Sequence, residues 1–279
     1  MMYLKHFGLS ELPFGITPDT SFIYAGNAHQ EALNTLLIGL ASGEGFIKIT
    51  GEVGTGKTLL CRRFLSTLGD EHVLAYIPNP MLEPRVLLLA IAEELGLTLP
   101  SLDYHFHLIK SLNAYLLELA AKGKMVVVCI DEAQCMPIES LEALRLLSNL
   151  ETEKRKLMQV VMFGQPELDE KLADPSVRQL KQRITFSYRM PGLKPVEVSN
   201  YLAHRLRVAG HTGGNVFSKA AARTVYQLSE GTPRLINIIA HKSLLSAFGE
   251  GKSSVKPSHV RIAGKDTEGV RPARWWQAW

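Results

Sequence analysis

Residues 51–58 read Gly51-Glu52-Val53-Gly54-Thr55-Gly56-Lys57-Thr58, a complete G-x-x-x-x-G-K-[ST] pattern. Few eight-residue stretches restrict a fold so strongly. The glycines let successive backbone N–H groups converge on phosphate oxygens, the Lys57 ammonium reaches the β- and γ-phosphates, and the Thr58 hydroxyl ligates Mg²⁺. Such a loop needs a strand to deliver the chain and a helix N-terminus to carry it away. Residues 46–50 are a short apolar run of strand type, and residues 59–65, from Leu59 on, follow as a helix. A merely glycine-rich turn is the alternative, and the strand–loop–helix context counts against it. The pattern therefore predicts an α/β chain that binds ATP or GTP.

A nucleotide-hydrolysing fold also needs an apolar strand that ends in acid. Residues 125–130, Met-Val-Val-Val-Cys-Ile, lead directly into Asp131-Glu132. A continuous β-branched run fits a strand covered on both faces, as in a parallel sheet with helices on each side. Asp131 at its carboxyl end would hold Mg²⁺, and Glu132 would orient and activate the attacking water. A second buried strand at residues 159–165 ends in Gln165, placed to position that water or to serve only as a polar strand terminus. Arginines follow at Arg178 and Arg183, ahead of an alternating strand at 184–188. An arginine here could reach a neighbouring subunit's γ-phosphate, with Arg183 the first candidate and Arg178 the second. Pairing with an acid on its own surface is the alternative for either.

From Pro191 the pattern turns helical, at 196–209, 218–229, 234–248 and a short segment near His259, joined by glycine-rich connectors. Gly231-Thr232-Pro233-Arg234 reads as a helix start, because proline is preorganised for the first turn. Arg234 would then project back to the nucleotide from a separate lid.

The chain has 279 residues, a net charge of +4 and an ordinary apolar content, which suits one large domain or two smaller ones. No apolar run approaches the roughly 18 residues needed to cross a bilayer. The N-terminus lacks the apolar core of a secretory signal. Cys61, Cys129 and Cys135 are too few for a disulfide framework and lack metal-like spacing. A cytoplasmic location is expected, with peripheral attachment at the inner membrane as the variant. Residues 251–279 carry six Lys/Arg against two Asp/Glu and account for the excess charge. That tail suits contact with nucleic acid or an anionic surface, or simple solvation.

The order of phosphate loop, Asp131-Glu132, Gln165, Arg183 and Gly-Thr-Pro-Arg234 resembles an AAA+ ATPase with its helical lid. The whole chain more closely resembles the ExeA-like (general secretion pathway protein A) family, and within it the MshM-type branch of MSHA pilus biogenesis. Tyr3-Leu4-Lys5-His6-Phe7-Gly8-Leu9, Pro13-Phe14, Thr17-Pro18-Asp19, Phe22-Ile23-Tyr24 and His29-Gln30-Glu31-Ala32-Leu33 carry the likeness. Asp131-Glu132-Ala133-Gln134 and Phe163-Gly164-Gln165-Pro166-Glu167-Leu168 extend it, so that it spans about residues 3–263. Gln165 stands where many AAA+ proteins carry asparagine, but glutamine agrees with this branch.

The resemblance implies a P-loop α/β domain, with a three-layer parallel sheet, followed by a small all-helical lid. Its expected bounds are 1–45 for an N-terminal segment at the nucleotide pocket, 46–190 for the core, 191–263 for the lid and 264–279 for a basic, Trp-rich tail. Phe14, Tyr24 and His29 would line the adenine pocket. The cofactors would be ATP and Mg²⁺. The implied activity is ATP hydrolysis serving assembly of a type IV (MSHA-type) pilus or a type II secretion apparatus. Partners would be further copies of the chain in a nucleotide-dependent homo-oligomer, and assembly proteins at the inner membrane. Longer secretion members continue into a transmembrane helix and a periplasmic module, whereas this sequence ends at Trp279. The expectation is therefore the pilus-type member, without a transmembrane segment of its own. A DNA-acting AAA+ ATPase is the less favoured alternative, and a switch that binds ATP without hydrolysing it is the third.

Overall fold

The computed structural model describes residues 2–17, 19–24, 26–43, 45–97, 105–149 and 156–270. Contacts divide the chain into two compact units, one of His29–Gly51 and Leu60–Met190, the other of Met1–Ala28, Glu52–Leu59 and Pro191–Trp279.

The first unit is built on five parallel strands: β1 (Phe46–Gly51), β2 (His72–Ile77), β3 (Met125–Ile130), β4 (Met158–Gly164) and β5 (Ile184–Met190). Their order is β2-β3-β4-β1-β5. Ile47 lies opposite Val161 on β4 and Phe186 on β5, while Cys129 pairs with Tyr76 on β2 and Val161 on β4. Parallel pairing puts every carboxyl end on one edge of the sheet, where ligands of such sheets bind.

Strand alternation explains the layers. Val126, Val128 and Ile130 of β3, with Val160 and Met162 of β4, face α4 (Pro84–Glu94), α5 (His105–Ala121) and α6 (Ile138–Leu147). Val127, Cys129, Val161 and Phe163 face α2 (Asn27–Ala41) and α3 (Lys57–Thr67). Both faces of β3 and β4 are therefore covered, which is why their sequences run apolar without a break. β5 lies at the sheet edge, pairs only with β1, and alternates between part-buried and exposed residues. The expected three-layer α/β fold is the one formed.

The second unit is helical. α1 (Met2–His6), α9 (Pro195–Val208), α10 (Lys219–Ser229), α11 (Pro233–Gly249) and α12 (Pro257–Lys265) share one apolar core, which includes Tyr3, Phe14, Leu202, Val225, Ile236 and Val260. Proline opens α9, α11 and α12, where its missing N–H costs nothing. Ser218 caps α10 by accepting the Ala221 N–H.

Arg205 on α9 is 7% exposed. It donates to the Pro13 carbonyl and to the Tyr201 hydroxyl, and its guanidinium stacks 4.5 Å from the Phe22 ring centre. Tyr201 donates in turn to Asn237 Oδ1, and Asn237 Nδ2 donates to the Gly15 carbonyl. This network fastens the chain around residues 13–22 to α9 and α11. No helix among the described residues is long and apolar enough to cross a membrane. The tryptophans of the basic tail, Trp275, Trp276 and Trp279, lie outside the described residues.

Candidate functional site

β1 ends at Gly51, and the motif loop follows it. Gly54 and Gly56 sit at φ of +81° and +94°, in the left-handed region that side chains rarely adopt. The Glu52 carbonyl closes the loop by accepting from the Thr55 N–H (3.2 Å), the Thr55 hydroxyl (2.9 Å) and the Lys57 ammonium (3.0 Å). Lys57 is only 5% exposed and opens α3, with Thr58 behind it. A left-handed glycine turn, an ammonium and a hydroxyl at a helix N-terminus make a donor set suited to a phosphate chain with its cation.

Arg234 of α11 meets this loop. Its N–H donates to the Gly54 carbonyl at 3.3 Å, and a methyl added at Gly54 would lie 2.4 Å from Arg234 Cβ. Its side chain is exposed, one residue into α11.

The expected adenine contacts are less alike. Phe14 is 3% exposed and packs edge-on against Phe217, so its ring is spent in the helical core. Tyr24 is part-buried between the ring edges of Tyr201 and His204. Burial, and then the charge of Glu197, raise its phenol above the usual range. Glu197 accepts from the Asn27 and Lys194 N–H groups, joining the start of α2 to the cap of α9. His29 is part-buried, two residues into α2.

At the carboxyl edge of the sheet, β3 delivers the acidic pair. Asp131 is 3% exposed. Its Oδ1 accepts the Glu132 N–H at 3.0 Å, and the Tyr76 hydroxyl lies 3.5 Å from Oδ2. Burial foremost, then the Asp131 charge, push the Tyr76 phenol up to about 12. Glu132 is one of two non-glycine residues with positive φ among those described, at φ +51° and ψ +38°. Its Oε2 accepts from Gln134 Nε2 at 2.5 Å and from Gln165 Nε2 at 3.2 Å.

Residues 40–172 match the AAA domain family. Over its whole length the chain is similar to the general secretion pathway protein A of Aeromonas hydrophila, at 44% identity over 280 residues. The alignment covers 99% of this chain and 50% of that protein, so the chain spans about half the length of this relative. The chain belongs to the general secretion pathway protein A family. Solved structures of similar fold include Cdc6p from Pyrobaculum aerophilum (TM-score 0.70, 19% identity, covering 94% of this chain and 74% of that one). The Aeropyrum pernix ORC2 protein follows at TM-score 0.63 and 16% identity, covering 94% and 75%. The Thermotoga maritima RuvB branch migration motor gives 0.57 and 16%, covering 92% and 73%.

The two candidate arginines differ in surroundings. Arg183 Nη1 donates to the Arg145 carbonyl and the Ser148 hydroxyl, each at 3.1 Å, which satisfies the carboxyl end of α6. Arg178 is exposed as the first residue of α8 (Arg178–Lys181). Cys61 and Cys129 face one another in the core. Their mutual contact and burial push the Cys61 thiol far up, so Cys61 acts as an inert small hydrophobe.

Gln134 and Tyr76 went unassigned in sequence reasoning. Gln134 had a signal, because it stands two residues beyond the second acid. Tyr76 had none, since strand order alone brings β2 beside β3.

Proposed function

We propose that the chain binds ATP with Mg²⁺ and hydrolyses its γ-phosphoanhydride. The observation that carries this is the Glu132 carboxylate, set beside Asp131 at a strand end and aimed by two side-chain amides. Thr58 and Asp131 would hold Mg²⁺, which when bound neutralises charge on the phosphate oxygens. Lys57 and the N–H groups of the loop from Gly51 to Leu59 grip the β- and γ-phosphates. Glu132 takes the proton of the attacking water as its oxygen bonds to the γ-phosphorus and the bond to the β-phosphate oxygen breaks. Gln165 orients that water against the γ-phosphate. Arg234 offers its charge from the lid, and Tyr24 and His29 remain the candidates for contact with the base.

A further arginine comes from a neighbouring copy. We assign this role to Arg178 in preference to Arg183, whose guanidinium is committed to α6. One copy completing another's site is a head-to-tail contact, so the active form is a homo-oligomer assembled on nucleotide. Its work is assembly of a type IV (MSHA-type) pilus or a related secretion apparatus at the inner membrane, and the similarity to general secretion pathway protein A supports the secretion part of this reading.

A second reading, action on DNA, is favoured by one observation. Residues 191–270 carry eleven Lys/Arg against five Asp/Glu. Steady-state ATP hydrolysis over a protein-concentration series, with and without duplex DNA, separates the two. Turnover per chain that rises with concentration and ignores DNA supports the assembly ATPase. Strong stimulation by DNA, lost with added salt, puts the second reading first.

A further inference from the structure

The carboxylate of Glu132 has a second holder besides Gln165. The Gln134 side-chain amide is engaged at both ends: Nε2 donates to Glu132 Oε2 at 2.5 Å, and Oε1 accepts the Gln165 main-chain N–H at 3.0 Å. Its main chain is fixed as well. Lys171 on α7 (Glu167–Lys171) donates to the carbonyls of Gln134 (2.6 Å) and Met136 (2.5 Å). A main-chain N–H can only donate, so the amide oxygen must face Gln165 and the amide nitrogen must face Glu132. Reversing the amide would break both bonds. Gln134 therefore ties the acid at the end of β3 to the residue that follows β4.

Glu132 needs such a tie. Its left-handed backbone conformation is unfavourable for a side-chain-bearing residue, and contacts from the surrounding structure must hold it. Its other amide partner is Gln165, which the hydrolysis reading directs toward the γ-phosphate. Once Gln165 turns to phosphate, Gln134 is the amide left to aim the carboxylate.

We propose that Gln134 is a positioning residue for ATP hydrolysis, one that fixes the Glu132 carboxylate against the end of β4 so that it meets the attacking water. The inference rests on Glu132 being the base. Gln134→Met keeps the length of the side chain and removes both hydrogen bonds. Misplacing a reacting group by about 1 Å costs on the order of 10²-fold in rate, and that is the expected fall in kcat. KM for ATP and the affinity for a non-hydrolysable ATP analogue should stay within about twofold, because the nucleotide is gripped elsewhere. In a Glu132→Gln background, where single-turnover rates are measured, adding Gln134→Met should cost about twofold at most. A residue acting only through Glu132 has nothing left to position there. Gln134→Asn, which keeps the amide but is one methylene short of spanning both partners, should lose kcat similarly and guards against a Met variant that fails to fold. In nucleotide-free protein, the NMR resonance of the Gln134 side-chain amide should shift on Glu132→Gln.

The proposal is overturned by kcat within about threefold of wild type in both Gln134 variants, or by a loss carried in KM. Losses that multiply with Glu132→Gln, or an amide resonance that ignores it, also overturn it. Normal turnover by Glu132→Gln alone would remove the assignment of Glu132 as base, and this inference with it, whatever Gln134 does.

Discussion

Gly54→Ala tests whether the approach of α11 to the motif loop is built into the sequence. Two costs can be separated. A left-handed φ of +81° penalises any Cβ by about 1–2 kcal/mol. The second cost is steric. The new methyl would lie 2.4 Å from Arg234 Cβ, about 1 Å inside ordinary contact, so α11's first turn must withdraw. Withdrawal sacrifices the Arg234 N–H to Gly54 carbonyl bond, worth about 1 kcal/mol net. The total is about 2–3 kcal/mol, and because the strained atoms are those that cradle phosphate, it should emerge as a 30- to 100-fold loss of ATP affinity, by roughly 1.4 kcal/mol per decade. Gly43→Ala supplies the control. Its φ is +72°, but no atom lies within 4 Å of an added Cβ, so it carries the backbone cost alone. Binding of a fluorescent ATP analogue and thermal melting would be measured on both variants. Gly54→Ala should lose affinity while Gly43→Ala keeps it, with comparable small losses in melting temperature. Equal affinity in the two variants would refute the reasoning.

Lys57→Ala should abolish nucleotide binding in the same titration, and retained affinity would contradict the phosphate-loop assignment. Glu132→Gln should bind ATP and lose hydrolysis by several orders of magnitude in a phosphate-release assay. Arg178→Ala should spare folding and binding but lower turnover, and mixing it with Glu132→Gln chains should restore part of the activity. No recovery on mixing would count against a site shared between copies. The pH dependence has a definite sign. Burial depresses His241 below its ordinary 6.5, and it does the same to His204, where the charges of Arg207 and Arg205 oppose protonation further. The folded chain thus binds fewer protons than the unfolded one, so stability is complete above pH 6.5 and declines as pH falls below it. His241, whose Nδ1 lies 2.9 Å from the Tyr3 hydroxyl, is the better probe. A melting temperature that falls between about pH 7.5 and 5.5, less steeply in His241→Gln, is the expected result.

Much of this was legible in sequence because it is local. The apolar run of residues 125–130 became β3, and the four helical segments after Pro191 became α9, α10, α11 and α12 with ends shifted by a residue or two. Alternation in 184–188 marked a strand, and β5 lies half covered at the sheet edge. Strand order was not legible, since β1 lies between β4 and β5 through crossovers that leave no trace in either partner's pattern. Arg183 looked available because it stands just ahead of the alternating strand at 184–188. What occupies it is the end of α6, thirty-five residues upstream. Phe14 was expected at the adenine pocket, yet it packs with Tyr3 among helices that begin almost two hundred residues later.

Violations of local rules are a useful guide to a site only when their partners are examined. Lys57, Asp131 and Arg205 are all charged and nearly inaccessible, so burial alone gives the three equal standing. Arg205 is accounted for inside its own unit. Two oxygens take its N–H groups, an aromatic ring covers its face, and the arrangement fastens the N-terminal segment to the lid helices. Removing it should cost stability and leave no chemical signature, as expected of a buried charge that is hydrogen-bonded in place. Asp131 and Lys57 each stand beside left-handed backbone, at Glu132 in one case and at Gly54 and Gly56 in the other. Strain kept beside a buried charge at the carboxyl edge of a parallel sheet serves function better than folding. This pairing of strain with charge, more than burial, separates the two residues proposed to serve the nucleotide from the structural arginine.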